Sequence, residues 1–483
     1  MAERRRARGL GAALLGLLAS ACNLAPTYHV PAAPVPVAFK EAGPWAAATP
    51  LDAVERGPWW TMFGDPVLSS LEDRIERDNP TLAAALARHD EALALVGQAR
   101  ADQAPQANAS ADVSRNRLAG SRPLGGAPYL YNLYEVGGSA SYEVDLWGRI
   151  RNNVRAARAD ADASLADAAD TRLSLQADLA DAYFRLRGLD TQLDLLRQTV
   201  AAYARAFDLA NTRHEGGIGS GLDVSRARNI LSDARAQLSA TASARATVEH
   251  SIAALVGVPA SSFSIGLARA QIAPPAVPAG APSALLQRRP DIAAAERRVF
   301  AANSRIGVAR AAFFPNLTLG ASGGLETVGG ASLLSTPAAF WALGPAAAAL
   351  TLLDGGRRAA QVRQARATLA EQAANYRAAV LTAFNQVEDQ LSAARLLTDE
   401  EASQRDAAAA AARTEDLALT RYRDGASDYL DVVTAQTAAL TAESNAIAVR
   451  TQRLQAAVAL VRALGGGYAS PIPAGSAQTV SAG

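Results

Sequence analysis

Few residues in this sequence stand at spacings that could do covalent or metal chemistry. Cys22 is the only cysteine among 483 residues. It can form no disulfide within the chain, and no second thiol is present to build a cysteine metal site. His29, His89, His214 and His250 are scattered, with no pair at i and i+4, so their spacing gives no zinc site. Gly217-x-Gly219-x-Gly221 has some glycines of a phosphate loop but lacks the third spacing and a preceding strand. A turn between helices accounts for it. There is no G-x-S-x-G motif and no Walker lysine. Lys40 is the only lysine, so arginine carries nearly all the positive charge. Those arginines are spread along amphipathic helices and read as solvated faces, not a nucleic-acid footprint. The net charge of +1 implies no bulk electrostatic partner. These observations assign no catalytic, cofactor-binding or metal-binding residue, and neither an enzyme activity nor a cofactor is expected.

The context of Cys22 suggests modification instead. Arg4, Arg5, Arg6 and Arg8 form a basic head, residues 9–18 are apolar and uncharged, and Ala19-Ser20-Ala21 are small. This is a secretory signal over 1–21, too short to span a membrane as a helix. The small residues directly before Cys22 resemble a bacterial lipobox. Cleavage there would leave Cys22 as an acylated N-terminus, carrying palmitate-type chains. Each buried methylene contributes ~0.8 kcal/mol, so several chains hold firmly where one does not. Ala19 departs from the pattern, which usually has leucine there. Asn23, where an aspartate would favour inner-membrane retention, points to the outer membrane. The alternative is an ordinary signal with an incidental cysteine. No run of 18 or more apolar residues follows, so no transmembrane helix is expected.

The elements that must carry any function come from internal repetition. Pro80 and Pro290 lie 210 positions apart, as do Ala99-Arg100 and Ala309-Arg310, and Pro105 and Pro315. Beyond a two-residue length change the offset becomes 208: Gly148-Arg149 matches Gly356-Arg357, Arg213 matches Arg421, Gly217 matches Gly425, and Leu222-Asp223-Val224 matches Leu430-Asp431-Val432. The domain plan is a signal (1–21), an N-terminal anchor and linker (22–64), repeat 1 (65–257), a proline-rich connector (258–275), repeat 2 (276–465) and a flexible tail (466–483).

Each repeat reads as helix, strand, strand, long helix, turn, returning helix. The first helix is expected from Asp65, a plausible N-cap with Pro66 behind it, to about Asp102. Residues 106–114 and 133–146 alternate. In the second run Tyr134, Val136, Ala140, Tyr142, Val144 and Leu146 take one face, while Glu135, Ser139, Ser141, Glu143 and Asp145 take the other. Period two with one apolar side predicts strands with one dry face. The second repeat shows the pattern at 316–322 and more weakly at 342–353. Residues 129–258 and 346–470 contain no proline. Arg149 to Arg213 would form ~97 Å of helix at ~1.5 Å per residue. Its apolar positions, among them Leu175, Leu179, Leu186, Leu193, Leu196, Tyr203 and Ala210, step 4,3,4,3, so the long helices pair as coiled coils.

The strands have the length of tilted membrane strands, ~9–11 residues. Open edges are very costly in lipid, and the smallest closed outer-membrane barrels have ~8 strands. Four strands per chain therefore require several chains. A soluble β-sandwich end on a coiled coil is the alternative. The layout resembles the TolC-like outer membrane factors, most closely their OprM/NodT lipoprotein branch. The resemblance rests on Cys22 through Leu24-Ala25-Pro26 and Tyr28; Trp59-Trp60 with Phe63 and Asp65; Arg288-Arg289-Pro290-Asp291-Ile292 with Glu296; Phe313-Phe314-Pro315-Asn316-Leu317; Asp354-Gly355-Gly356-Arg357; and Arg421-Tyr422 with Gly425 and Tyr429-Leu430-Asp431-Val432.

That resemblance implies a mainly α protein with membrane β. Three copies would share a twelve-stranded barrel, continuous with a coiled-coil helical tunnel. The implied function is the passive outer-membrane exit duct of a tripartite efflux system, exporting drugs or other small molecules. The implied partners are two further copies, a periplasmic adaptor, an inner-membrane pump of the RND or another type, and outer-membrane lipid. A type I protein secretion channel and a structural periplasmic coiled-coil lipoprotein are the competing readings. Charge gathers at one helix turn: Asp416, Arg421, Arg423, Asp424, Asp428 and Asp431. The family rings its closed periplasmic tip with acids just after this turn. Asp431 matches one such position, Thr434 stands where a second acid is expected, and Leu430 matches an apolar constriction. Arg421 and Asp428 join this candidate gate. Adaptor contact is expected at Gly216, Gly217, Gly219, Asp424, Gly425 and Ser427.

Overall fold

The computed structural model describes residues 23–41, 58–119, 128–268, 272–275, 288–328, 333–334 and 336–466. Among these residues the chain forms seven α-helices and four β-strands. In order they are α1 (Pro66–Asp78), α2 (Pro80–Ala101), β1 (Gln106–Leu118), β2 (Tyr129–Val144), α3 (Arg149–Glu215), α4 (Gly221–Leu255), α5 (Pro290–Ala311), β3 (Asn316–Thr327), β4 (Ala339–Ala349), α6 (Arg357–Arg423) and α7 (Tyr429–Ala463). The repeat is explicit in these lengths: α3 and α6 each have 67 residues, and α4 and α7 each have 35. No described helix is long and apolar enough to cross a membrane.

The chain divides into two compact units. The first takes the described residues within 1–31, 88–164 and 294–376. Its centre is an antiparallel sheet in the order β1-β2-β3-β4. The strands run longer at their outer ends than alternation alone suggests. β1 continues through Arg115 and Arg117, because Arg115 pairs with Asn132 and Leu118 with Tyr129. β4 is shifted instead, ending at Ala349, so 350–353 form a connector. The β3–β4 register shifts between Leu319 and Ala321. Pro345 lies beside that irregularity, where a residue without an N–H is tolerated. At the sheet base Trp147 stacks on Phe314 at 4.6 Å and its Nε1 donates to the Pro315 carbonyl.

The second unit takes the described residues within 32–87, 165–293 and 377–483. One sequence expectation fails here. The first helix is broken, with Asn79 extended between α1 and α2. Pro80 supplies the reason, since it disfavours helical geometry in the residue before it. Asn79 then caps α2, its Oδ1 accepting from Thr81 N and Leu82 N, while its Nδ2 donates to the Leu255 carbonyl. Beside this joint, Gly257 has φ of 74°, and a Cβ there would collide with the Asp78 carbonyl. Gly465, at φ of 86°, meets the Arg288 carbonyl in the same way. Both repeats thus close their returning helix against the start of the repeat with a left-handed glycine.

The seam of α3 is buried as expected at Leu179, Leu186, Leu193, Leu196, Tyr203 and Ala210. Leu175 is only half-buried. A buried ionic network ties the segment after α4 to this core. Arg187 donates to Asp190 at 2.9 Å and to the Gly266 carbonyl at 2.8 Å. Arg245 donates to Asp190 at 2.6 Å, to Glu249 at 3.0 Å and to the Ile265 carbonyl at 2.6 Å. Two guanidinium groups on two carboxylates, with backbone partners besides, leave no charge alone in the interior.

Glu72 on α1 has no such support. It is 0% exposed, and among the described residues neither carboxyl oxygen has a hydrogen-bond partner. Burial, then the nearby Glu76 and Asp73, pushes its pKa up to about 9. The acid is therefore neutral at pH 7 in the folded chain but ionised when unfolded. Its contribution is fully favourable below about pH 4.5 and is lost as pH rises towards 9. At ~1.4 kcal/mol per pH unit, the loss between pH 4.5 and 7 is roughly 3 kcal/mol. Thermal unfolding followed by circular dichroism should show Glu72→Gln more stable than wild type at pH 8, with the advantage vanishing near pH 4.5.

Candidate functional site

The ends of the two helical hairpins lie in the second unit and are built alike. After α3, Ile218 N donates to the Arg213 carbonyl and Gly217 N to the His214 carbonyl. After α6, Ala426 N donates to the Arg421 carbonyl and Gly425 N to the Tyr422 carbonyl. These paired bonds satisfy the last carbonyls of each helix, with Gly217 and Gly425 in the left-handed conformation at φ of 75° and 77°. Ser220 caps α4 through Leu222 N. Asp428 precedes α7 without a side-chain cap bond. Gly216, Gly217, Asp424 and Gly425 are exposed, Gly219 and Ser427 half-buried.

The gate candidates are mostly free of partners. Arg421, Asp428, Leu430, Asp431 and Thr434 are all exposed. Among the described residues neither Asp431 nor Arg421 forms an ion pair. Repetition explains the solitary Asp431. Its counterpart Asp223 pairs with Arg226 at 3.8 Å, three residues on. Thr434 stands in that arginine's place, and its hydroxyl donates to the Leu430 carbonyl instead.

Arg213, not assigned to the gate from sequence, is what joins the two turns. Its Nη1 donates to the Tyr422 carbonyl at 3.0 Å and the Arg423 carbonyl at 3.5 Å. Its guanidinium also lies 4.9 Å from the Tyr422 ring centre. Tyr422 packs edge-on to Tyr429 at 5.1 Å, and with Val432, Ala210 and Ala227 they form a small apolar cluster. A cation at a helix C-terminus is favourable, and the ring strengthens the contact. The available sequence signal was the Arg213/Arg421 correspondence itself.

The sheet of the first unit has two unlike faces. Cross-strand partners share a face. Ala111–Val136–Leu325 and Val113–Tyr134 lie on one side, and Asp112–Glu135–Glu326 and Asn108–Ser139–Ser322 on the other. The apolar side suits lipid and the polar side suits water. The N-terminal strap is also fixed within this unit. Arg310 donates to the Leu24 carbonyl, Asn303 to the Pro26 carbonyl, and the Tyr28 hydroxyl to Glu296. Cys22, just before the strap, lies outside the described residues.

Strands with one dry face and long paired hairpins are the parts of an outer-membrane channel protein. A family model described as outer membrane efflux protein matches residues 71–258 and 281–466, one match for each repeat. The chain belongs to that family. It is similar to the outer membrane protein OprJ of Pseudomonas aeruginosa, at 33% identity over 473 residues, covering 96% of this chain and 97% of OprJ. It is also similar to the toluene efflux pump outer membrane protein TtgF of Pseudomonas putida, at 31% identity over 462 residues, covering 94% and 96%. The solved outer-membrane channel OprN matches with a TM-score of 0.84 at 28% identity, covering 92% of this chain and 99% of that one. The chain is thus an exit duct for efflux in the outer membrane, which sets aside the reading as a purely structural coiled-coil lipoprotein.

The tie between the turns makes a measurable prediction. Replacing Arg213 by methionine keeps the stem but removes the donors to Tyr422 and Arg423. In planar bilayers, Arg213→Met should raise single-channel conductance or open time several-fold over wild type.

Proposed function

We propose that three copies close one twelve-stranded barrel, and that the duct passes drugs or other small molecules received through a periplasmic adaptor from an inner-membrane pump. The observation that carries this is the four-stranded sheet with its apolar face, whose outer strands β1 and β4 each have one neighbour among the described residues. Lipid tolerates no such edge. A further copy's β4 beside β1 satisfies both, and three copies reach twelve strands. The duct works passively: it contributes a shaped, water-lined path, and no residue is assigned to catalysis. The small-molecule cargo is supported by the relative named for toluene efflux. Acylation at Cys22 adds a second hold on the membrane, and the strap from Leu24 to Tyr28 fixes the chain directly behind it.

The closed tip follows from the repeat. Arg213 of the first hairpin donates to Tyr422 and Arg423, the C-terminal carbonyls of the second. In a ring of alternating hairpins, the equivalent Arg421 reaches the carbonyls of His214 and Glu215 in a neighbouring copy. Asp431, Asp428 and Leu430 line the same constriction, with Thr434 one turn further in. The adaptor engages Gly216, Gly217 and Gly219 on one turn and Asp424, Gly425 and Ser427 on the other, pulling the hairpins apart.

Two measurements test this. Protein extracted from membranes should run as a trimer that heat dissociates. The double variant Asp431→Ala, Arg421→Ala should conduct several-fold more than wild type in planar bilayers. A monomer would end the barrel proposal, and an unchanged closed state would end the latch.

A further inference from the structure

The charges of the sheet are sorted by sign between its faces. Asp112, Glu135 and Glu326 occupy one cross-strand row on the polar face, and Glu143 shares that face. The sheet's only basic residues, Arg115 and Arg117, take the other side with Val113 and Tyr134. That side is the apolar one, where Val113 is 73%, Trp341 78% and Leu343 84% exposed. Both arginines are exposed, and among the described residues neither side chain has a hydrogen-bonding or ionic partner.

An unpaired arginine on a lipid-facing strand is costly at the bilayer centre and nearly free at the interface. Its height therefore matters. Asn132, opposite Arg115, lies twelve residues from Val144 at the base of β2. At ~3.4 Å per residue and a tilt of ~40°, that is about 31 Å of height. This matches the ~30 Å hydrocarbon thickness. The Trp147–Phe314 stack marks the inner boundary, and the arginines mark the outer one, at the level of outer-leaflet headgroups.

No protein carboxylate can reach them from the adjoining segments. The sequence has no acidic residue between Val113 and Tyr134, and none from 328 to 353, which includes the β4 that a second copy would lay beside β1. Successive arginines on one face of a strand stand about 7 Å apart. Guanidinium groups bind phosphate through paired, charge-assisted hydrogen bonds.

We propose that Arg115 and Arg117 form a binding site for the phosphate groups of a phosphorylated glycolipid in the outer leaflet. The site sits on the lipid side of the barrel's rim, away from the transport path. It rests on the barrel reading, so the test must keep the two separable.

The experiment is lipid titration of the purified, detergent-solubilised trimer, read by native mass spectrometry. The probes are bisphosphorylated lipid A, the same lipid dephosphorylated, and phosphatidylglycerol. Wild type should bind bisphosphorylated lipid A about tenfold or more tightly than either other lipid. Arg115→Gln with Arg117→Gln should erase that preference, and Arg115→Lys with Arg117→Lys should keep part of it. No preference for the phosphorylated glycolipid in wild type overturns the site without any variant being needed. Equal binding of phosphatidylglycerol overturns the assignment to the outer leaflet. Retained preference in the glutamine variant overturns the role of the two arginines. Each sample is also run unheated and heated. A heat-dissociable trimer shows the barrel intact, so loss of lipid preference is distinguished from loss of the barrel itself.

Discussion

A backbone amide in hydrocarbon has no water to bond to, and a strand with one neighbour leaves half its amides in that position. This constraint governs the molecule. The β1–β4 sheet is antiparallel and continuous, yet among the described residues it ends in two open edges. A soluble protein could blunt such edges with charge or proline. Here β4 offers mainly alanine, with tryptophan and phenylalanine, and Pro345 sits at its irregular middle. Closure by further copies is the solution consistent with the apolar face, and it also assigns the faces. Once the ring closes, the Asp112–Glu135–Glu326 row must look into water and the Val113–Tyr134 row into lipid.

In the helical unit the same economy appears as repetition. One hairpin of 67 and 35 residues occurs twice per chain with matching turn bonds. Long helices with so much alanine bury little area per residue, so they depend on points of fixation. The buried Arg187–Asp190–Arg245–Glu249 network is one, since it holds the chain leaving repeat 1 against the α3 core. The Arg289 guanidinium is another. It grips Asp291 with two bonds and donates to Gln386 and the Ala463 carbonyl, joining the start of α5 to the end of α7.

Much of this was legible in the amino-acid sequence. The period-two runs placed the strands and their faces, because alternation encodes the pleat directly. The 208-residue offset disclosed the equal hairpins. Strand ends were less legible: Arg115 interrupts the apolar alternation, while the backbone pairing of Arg115 with Asn132 carries on regardless. The break at Asn79 was signalled by Asn-Pro, yet the apolar spacing on both sides masked it. Glu72 could not be foreseen as buried, since an acid on an amphipathic helix ordinarily faces water, and only packing around α1 encloses it. Arg213 was invisible as a tie for another reason. Its partners are backbone carbonyls 209 and 210 residues away, and carbonyls leave no trace in residue types.

The repeat is imperfect where it matters most. Arg213 meets a tyrosine ring as well as carbonyls, and Tyr422 is held in turn by Tyr429. The positions equivalent to Tyr422 and Tyr429 in the first hairpin are His214 and Gly221, and His214 is occupied with the Gly219 carbonyl of its own turn. A junction made by Arg421 onto that turn therefore lacks the aromatic cluster that backs the one made by Arg213. Under the proposed latch, a ring of three copies would alternate three junctions backed by the aromatic cluster within chains with three lacking it between chains. On that proposal a pull on the hairpins would part the unbacked set first, and each chain would move outward as a pair of hairpins. Asp431 likewise lacks the arginine that its counterpart Asp223 has three residues on, because Thr434 stands there and bonds the Leu430 carbonyl.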